Sequence, residues 1–389
     1  MLRAGVGLSS DASTERAAEA AAAQAMERAG LDRADLVVVF FTADHAPAGH
    51  KLAAALGRVA RTDEIVGSSG AGVLTIDGEI EGGPGVAALV FASDGVAARP
   101  FLHHPLGARA AEIGADLTRA PADAGSLLVA FPDSYNLEPR ALFHGMEEGG
   151  FVPLVGAGSS ENGTQGKTFQ LYRESVTTNG LSGFSLGGSF AASIDITQGC
   201  QPIGREMTIT KCEGNFIFEI DHRPAFESFA RVLKGPLSDD LGRALAYVFA
   251  GLPAEPEKNS VGAGEYLVRN IVGLDPKRGI LAVAEEVFEG ERMLFTLRDA
   301  ARAREDLGQM LERQAQTLGG RPPALGFYFN CCARGRSLYQ MDGIDAAYIR
   351  RALGDFPLIG LFGGFELAPL GRKNHLFAYT GVLALVTEK

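Results

Sequence analysis

Three short runs of uninterrupted apolar residues punctuate the chain: LVVVFF at 36–41, SLLVAF at 126–131 and ALGFYF at 324–329. Runs of this length, rich in β-branched and aromatic residues and lacking alternation, predict strands buried on both faces. A polar stretch follows each one. These read Thr42-Ala43-Asp44-His45, Pro132-Asp133-Ser134-Tyr135-Asn136 and Asn330-Cys331-Cys332-Ala333-Arg334. A helix-like segment comes next, then a short apolar strand running into a glycine corner at 65–70 (IVGSSG), 154–159 (LVGAGS) or 358–363 (LIGLFG). A Gly-led apolar strand closes each unit, at 85–91, 183–187 and 381–386.

A strand, a crossover of more than a dozen residues and a second strand predict a βαβ unit with a parallel pair. The closing strand returns after about twenty residues containing glycine turns, a spacing that suits a hairpin. The expected fold is therefore α/β (mixed α+β), built from internally repeated βαβ-plus-hairpin units whose mixed sheets are flanked by helices. Between the second and third units, 207–210 and 216–220 alternate like strands around Glu213-Gly214-Asn215. Helices are expected at 224–233 and at 238–249, the latter with Ser238 as N-cap. The stretch 253–256 reads as a loop, and 265–272, 280–283 and 293–297 read as strands. A long helix over 298–318 should stop at Gly319-Gly320. An Ala-rich packing helix is expected at 14–29, capped by Ser13 or Thr14 and ended by Gly30.

At 389 residues the chain exceeds what one hydrophobic core usually serves. The composition shifts near 200–204, which divides the chain into lobes 1–204 and 205–389, with a layered α/β/β/α sandwich as one stacking of the two. An apolar fraction of 46% with 21% charged residues excludes wholesale disorder. The net charge of −11, without a Lys/Arg block, argues against nucleic acid as a partner. No apolar run approaches the ~20 residues of a membrane span, and the N-terminus lacks a secretory pattern. Four Cys in this length form no disulfide framework, so a reducing, cytoplasmic setting is expected.

Several segments together resemble the FIST family, in which an N domain precedes a C domain. These are Ile65 to Gly72, Asn215 to Asp221 with Pro224-Ala225, Tyr266 to Arg269 followed by Gly279 to Leu281, and two more specific stretches. The latter are Phe329 to Gly335, with its Cys-x-x-Arg-Gly, and Pro357 to Gly360 through Gly364-Phe365-Glu366-Leu367-Ala368-Pro369. The resemblance implies a sensory, signal-transducing protein that binds a small ligand such as an amino acid. It also implies a separate signalling protein as partner, because only three residues follow Val386. Some members of the family have been connected with haem and one branch with ubiquitin ligases. Three alternatives follow: a haem-binding gas sensor, a Cys-dependent enzyme, or an interaction scaffold without a ligand.

Ligands of open α/β sheets sit beyond the carboxyl ends of parallel strands. In this chain those ends carry Thr42, Asp44, Asp133, Asn136, Asn330 and Arg334. Glycine corners permit φ > 0 and can turn backbone N–H groups towards an anion. The candidate ligand site is therefore Ser68, Ser69, Gly70, Asp133, Asn136, Ser159, Ser160, Asn330, Cys332, Arg334, Gly363, Gly364 and Glu366. Arg334 would grip a carboxylate and Glu366 an ammonium group. The competing reading makes the glycines plain corners and lets Arg334 and Glu366 pair with each other or with surface groups. In an extended 324–332 segment Cys331 and Cys332 face opposite ways, so zinc is not expected, whereas Cys332 is a candidate nucleophile. No cofactor is expected. Were haem bound, His222 and His144 would be the candidate axial ligands.

Overall fold

The computed structural model describes residues 1–119, 126–255 and 264–389. The fold is mixed α/β, with several mixed sheets flanked by helices. It divides into two compact units. One comprises Met1–Ile196, Leu307–Leu376 and Thr380–Lys389, and the other Thr197–Asp306 with Phe377–Tyr379. A division at 204/205 follows the chain. In space the third apolar module belongs with the first two, so the larger unit is discontinuous.

The larger unit holds three six-stranded sheets with one common strand order. In each, the opening strand pairs in parallel with the strand beyond its helix: residues 37–42 with 65–70, 128–130 with 154–156, and 326–331 with 358–363. The closing strand lies on the other flank of the opening strand, antiparallel to it, through 86–91, 181–186 and 381–386. It therefore makes no hairpin with the glycine-corner strand, contrary to the expectation from spacing. The intervening residues instead form a hairpin of their own, and each hairpin leaves for a different sheet. Gly72–Thr75 with Gly78–Glu81 joins the third module through 359–362. Gln170–Tyr172 with Ser175–Thr177 joins the first through 66–68. Glu366–Leu370 with Lys373–Phe377 joins the second through 156–157. An outer strand finishes each sheet: Leu2–Ser9, Val96–His103 and Phe190–Gln198.

The opening strands meet at one aromatic hub. Phe40, Phe131 and Phe329 are fully buried, with ring centroids 5.0 Å (Phe40–Phe131), 6.0 Å (Phe131–Phe329) and 6.3 Å (Phe40–Phe329) apart. One residue earlier on each strand, Val39, Ala130 and Tyr328 face Gly67, Gly156 and Gly360. A Cβ at those glycines would lie 1.8, 1.9 and 1.8 Å from the carbonyl oxygens of Val39, Ala130 and Tyr328. Close strand approach is thus the reason for glycine there, and of the three only Gly156 has a positive φ. The expectation of left-handed corners is corrected accordingly.

The same economy of volume seats the Ala-rich helix Thr14–Ala29. A Cβ on Gly5 or Gly7 would strike the carbonyls of Ala25 or Ala21 at 2.2 and 2.0 Å. Ala17, Ala18, Ala21, Ala22 and Ala25 are consequently fully buried. Gly30 ends this helix in the left-handed region at φ 60°, as its sequence predicts. Ser13 holds the N-cap position without a side-chain capping bond.

In the smaller unit a sheet built around Cys200–Glu213 and Arg292–Arg298 buries Ile209, Ile217, Phe229, Val248 and Phe295. The helix expected over 238–249 is broken. Asp240, not Ser238, caps Leu241–Tyr247 by accepting from the Arg243 N–H at 2.9 Å. Val248–Pro253 then becomes a strand between 266–269 and 294–297, where its β-branched and aromatic residues are buried. Pro256 of the expected loop lies outside the described residues. The long helix runs from Ala300 to Leu318 and stops at Gly319 and Gly320, both with positive φ.

Gly67→Ala and Gly360→Ala should each cost about 3 kcal/mol or more, because backbone must move to admit the methyl group. Gly308→Ala, on an open helical surface, should be neutral or slightly stabilising. Urea unfolding of the three variants measures the contrast.

Candidate functional site

The sequence-derived candidates fall into two groups. The first is a seam of hydroxyls where the glycine corners touch. Ser68 Oγ donates to Ser159 Oγ at 2.6 Å, and Ser69 Oγ donates to the Ser160 carbonyl at 2.8 Å. Ser160 Oγ accepts from the Ala71 N–H and donates to the Phe362 carbonyl, which also accepts from the Ala71 N–H. The corners of all three modules are therefore bonded directly to one another above the phenylalanine hub. Gly70, Gly363 and Gly364 serve the same contact, since a Cβ on each would press on Leu361 Cβ, on Ala157 Cβ or on Ser134 Oγ at 3.2, 2.6 and 2.8 Å.

Asp133 belongs to this seam and is saturated. Its Oδ1 accepts from the N–H groups of Tyr135 and Asn136 and from Asn136 Nδ2, while Oδ2 accepts from Thr168 Oγ1 and the Asn179 N–H. Buried hydroxyls and carboxylates must find partners, and here they find each other. The seam is a joint between the three corners.

The second group lies at the carboxyl end of the third module's opening strand, and its chemistry is different. Arg334 is fully buried, and its Nε and Nη2 contact Asp345 at 3.3 and 3.2 Å. Nη2 also donates to the Tyr339 hydroxyl at 2.8 Å. Tyr328 OH and Asn330 Nδ2 donate to the same Asp345 oxygen at 2.8 and 3.0 Å. Burial is the largest influence and opposes the guanidinium charge, but Asp345, Tyr339 and Tyr328 together outweigh it and hold the pKa well above the usual arginine value. The same burial, with Asp345 alongside, pushes the Tyr328 hydroxyl up. Arg334 is thus anchored by an internal carboxylate and does not offer the free fork expected from sequence.

Glu366 reaches the same strand end from the neighbouring hairpin. Its Oε2 accepts from the Thr380 hydroxyl at 2.6 Å and the Thr380 N–H at 3.2 Å. Thr380 precedes Gly381, the antiparallel partner of Asn330. Burial, then the nearby Cys331, raises the Glu366 pKa well above the carboxylate range, against the pull of Thr380 and Arg334. Burial thus favours the protonated form of this side chain.

Three polar atoms of this cluster are buried without a hydrogen-bond partner: Arg334 Nη1, Asn330 Oδ1 and Glu366 Oε1. Desolvating such groups unpaired is costly, more so for a guanidinium nitrogen, so the cluster is chemically incomplete. It offers donors from Arg334 and from protonated Glu366, and one acceptor from Asn330. Cys332 lies exposed on the turn directly after Cys331.

The strand order that brings the first module's hairpin to this sheet also clamps the cluster from outside. Glu79 accepts from the N–H groups of Gly343 and Ala346 at 2.9 and 3.0 Å, which caps the start of helix Ile344–Leu353 around Asp345. Glu81 accepts from the Arg336 N–H at 2.8 Å, at the start of the short helix Gly335–Tyr339. Burial, with the Asp345 charge added, pushes Glu79 up to about 7, against its two backbone hydrogen bonds.

The remaining candidates stand apart. Asn136 is exposed on its turn, as is His222, in a left-handed turn after Phe216–Ile220. His144 is exposed on the helix Pro139–Glu148. An open cavity of about 460 Å³ lies beside Ala46, Pro47, His50, Phe169 and Val176, at the carboxyl end of the first module's opening strand. Among the described residues, no helix is long and apolar enough to cross a membrane, and no group of three or more His, Cys, Asp or Glu could hold a metal ion. Asp345, Tyr339, Thr380 and Glu79 were not singled out from sequence. An acidic residue in the first turn after Gly343 was the available signal for Asp345.

Residues 35–223 match the FIST N domain and residues 225–369 the FIST C domain. An uncharacterized protein of Mycobacterium tuberculosis is 30% identical over 390 residues, covering 100% of both chains. An uncharacterized protein of Mycobacterium bovis is 29% identical over 391 residues, covering 100% of this chain and 99% of that one. The crystal structure of a cyanuric acid hydrolase from A. caulinodans aligns over 100% of both chains at 10% identity, with a TM-score of 0.39.

Glu79 carries a pH signature. Its folded pKa of about 7 stands above the ordinary carboxylic value, so the folded state holds the proton more tightly than the unfolded chain does. The resulting stabilisation is complete below about pH 4.3 and is lost as the pH rises through 7. Urea unfolding between pH 5 and 8 should show this decline, and Glu79→Gln should flatten it.

Proposed function

The chain belongs to the FIST family, with an N domain and a C domain in tandem, and we propose that it senses a small polar ligand, an amino acid or a close analogue, at the buried cluster around Arg334. FIST domains are generally sensory domains of signal transduction proteins. One observation carries the finer reading: Arg334 Nη1, Asn330 Oδ1 and Glu366 Oε1 lack partners within one fully buried cluster.

A ligand carboxylate would accept from Arg334 Nη1, in a low-dielectric setting where a charge-assisted bond is strong. Its ammonium group would donate to Asn330 Oδ1 and to Glu366, which gives up its proton on binding. The signal would leave through Asp345. Any pull on Arg334 reaches Asp345, and with it the start of helix Ile344–Leu353 under the Glu79 cap. A ligand shifts a conformational equilibrium only by its differential affinity for the two states. The Arg334–Asp345 pair is where that difference would arise.

A thermal-shift series over the twenty amino acids and their amides tests the proposal. At 100 times its Kd the right compound should add about 2.7 kcal/mol of stability. Calorimetry in buffers of different ionisation enthalpy should show release of about one proton per ligand at pH 7, the Glu366 proton. Glu366→Gln preserves the shape of the neutral acid but cannot ionise, and should weaken binding at least about tenfold, roughly 1.4 kcal/mol. Absence of any stabilising compound, or an unchanged response in Glu366→Gln, overturns the reading.

A further inference from the structure

The third module's opening strand ends at Cys331, and Cys332 is the first residue of the turn that follows. Strand alternation through both residues would have sent their side chains to opposite faces. The turn removes that constraint. The Arg334 N–H donates to the Cys331 carbonyl at 2.8 Å, closing 331–334 into a β-turn with Cys332 and Ala333 at its corners. The Cys331 side chain beside it lowers the Cys332 pKa despite its desolvation and the nearby Glu366. Cys331 is only 3% exposed, whereas Cys332 is open to solvent. An accessible thiol with enhanced thiolate character directly follows a sheltered one in the chain, the division of labour between attacking and resolving cysteines. Of the other two cysteines, Cys200 is buried in the smaller unit, and the Cys212 thiol donates to the Val287 carbonyl.

We propose that Cys331 and Cys332 form a reversible vicinal disulfide, which makes this turn a redox-modification site. The oxidant is a low-molecular-weight disulfide. The Cys332 thiolate attacks one of its sulfurs, forming a mixed disulfide and expelling one small thiolate. The Cys331 thiol then attacks the Cys332 sulfur, its proton passes to solvent, and the second small thiolate leaves. Two protein thiols are oxidised and one disulfide is reduced to two thiols, so no further electron acceptor is required. Adjacent α-carbons across a trans peptide are about 3.8 Å apart, inside the spacing that disulfides prefer. The small ring is therefore strained, and excess small thiol reopens it. This proposal goes beyond the ligand reading and stands without it, because its chemistry is read directly on the two sulfurs.

The full-length protein is equilibrated in glutathione buffers from fully reduced to fully oxidised, quenched with acid, denatured with N-ethylmaleimide and digested for mass spectrometry. In oxidising buffer the peptide containing Cys331 and Cys332 should lose about 2 Da and take up no maleimide, and dithiothreitol should restore two reactive thiols. Cys200 and Cys212 should stay fully alkylated throughout. Cys331→Ser should stop at a glutathione adduct on Cys332, and Cys332→Ser should abolish the mass loss and slow adduct formation at least tenfold. The proposal is overturned if the wild-type peptide keeps two maleimides in oxidising buffer. A glutathione adduct on Cys332 as the end point in wild type overturns it equally.

Discussion

No sheet of the larger unit is complete without strands lent by another module, and this mutual dependence organises everything else there. Each module sends its hairpin onward and receives one in return: the first gives to the third, the third to the second, the second to the first. The exchange brings the three strand ends within bonding distance, and inside each module the glycine at 67, 156 or 360 lets the corner strand lie against a carbonyl of the opening strand. Once they are that close, water is excluded, and every hydroxyl at the junction must bond across a module boundary. Ser68 to Ser159 and Ser160 to Phe362 are the result.

Against that background the third module is the exception. Its strand end carries a guanidinium, a carboxamide and a carboxyl group in place of the small hydroxyls that unite the other two. Asp345, the Tyr328 hydroxyl and Thr380 satisfy most of their valences, but not all. A buried pair such as Arg334–Asp345 contributes little net stability when compared with apolar side chains of the same volume, so its presence argues for specificity or function more than for strength. Asp133 is saturated, whereas the Arg334 cluster keeps three unpartnered atoms. The two groups of residues looked equivalent until their partners were known.

That equivalence marks the limit of what the sequence discloses. The opening strands were legible because LVVVFF and ALGFYF leave no polar face, and the family was legible in its Cys-x-x-Arg-Gly and Gly-Phe-Glu-Leu-Ala-Pro segments. The glycine corners were seen but misunderstood. A glycine needed for a left-handed turn and one needed for an absent β-carbon are the same letter, and only the neighbouring carbonyl tells them apart. The destination of the hairpins was not legible at all, because GEIE and SVT carry turn and strand propensity but no address. Asp345 escaped notice because the ion pair it makes with Arg334 spans a turn and two helix starts. The break at Asp240 was hidden by an apolar pattern shared by helix and strand.

The direction of the hairpin exchange is the same at each of its three steps. A hand-off that always passes to a different neighbour closes on itself only when the last recipient is also the first donor, here after three. A shorter polypeptide carrying one module could thus satisfy all its sheet edges only as a ring of three copies, each extending an arm to the next. Joined in a single chain, the three positions are freed from being identical, and one of them can exchange its small hydroxyls for Asn330, Arg334 and two thiols while the others keep the ring shut.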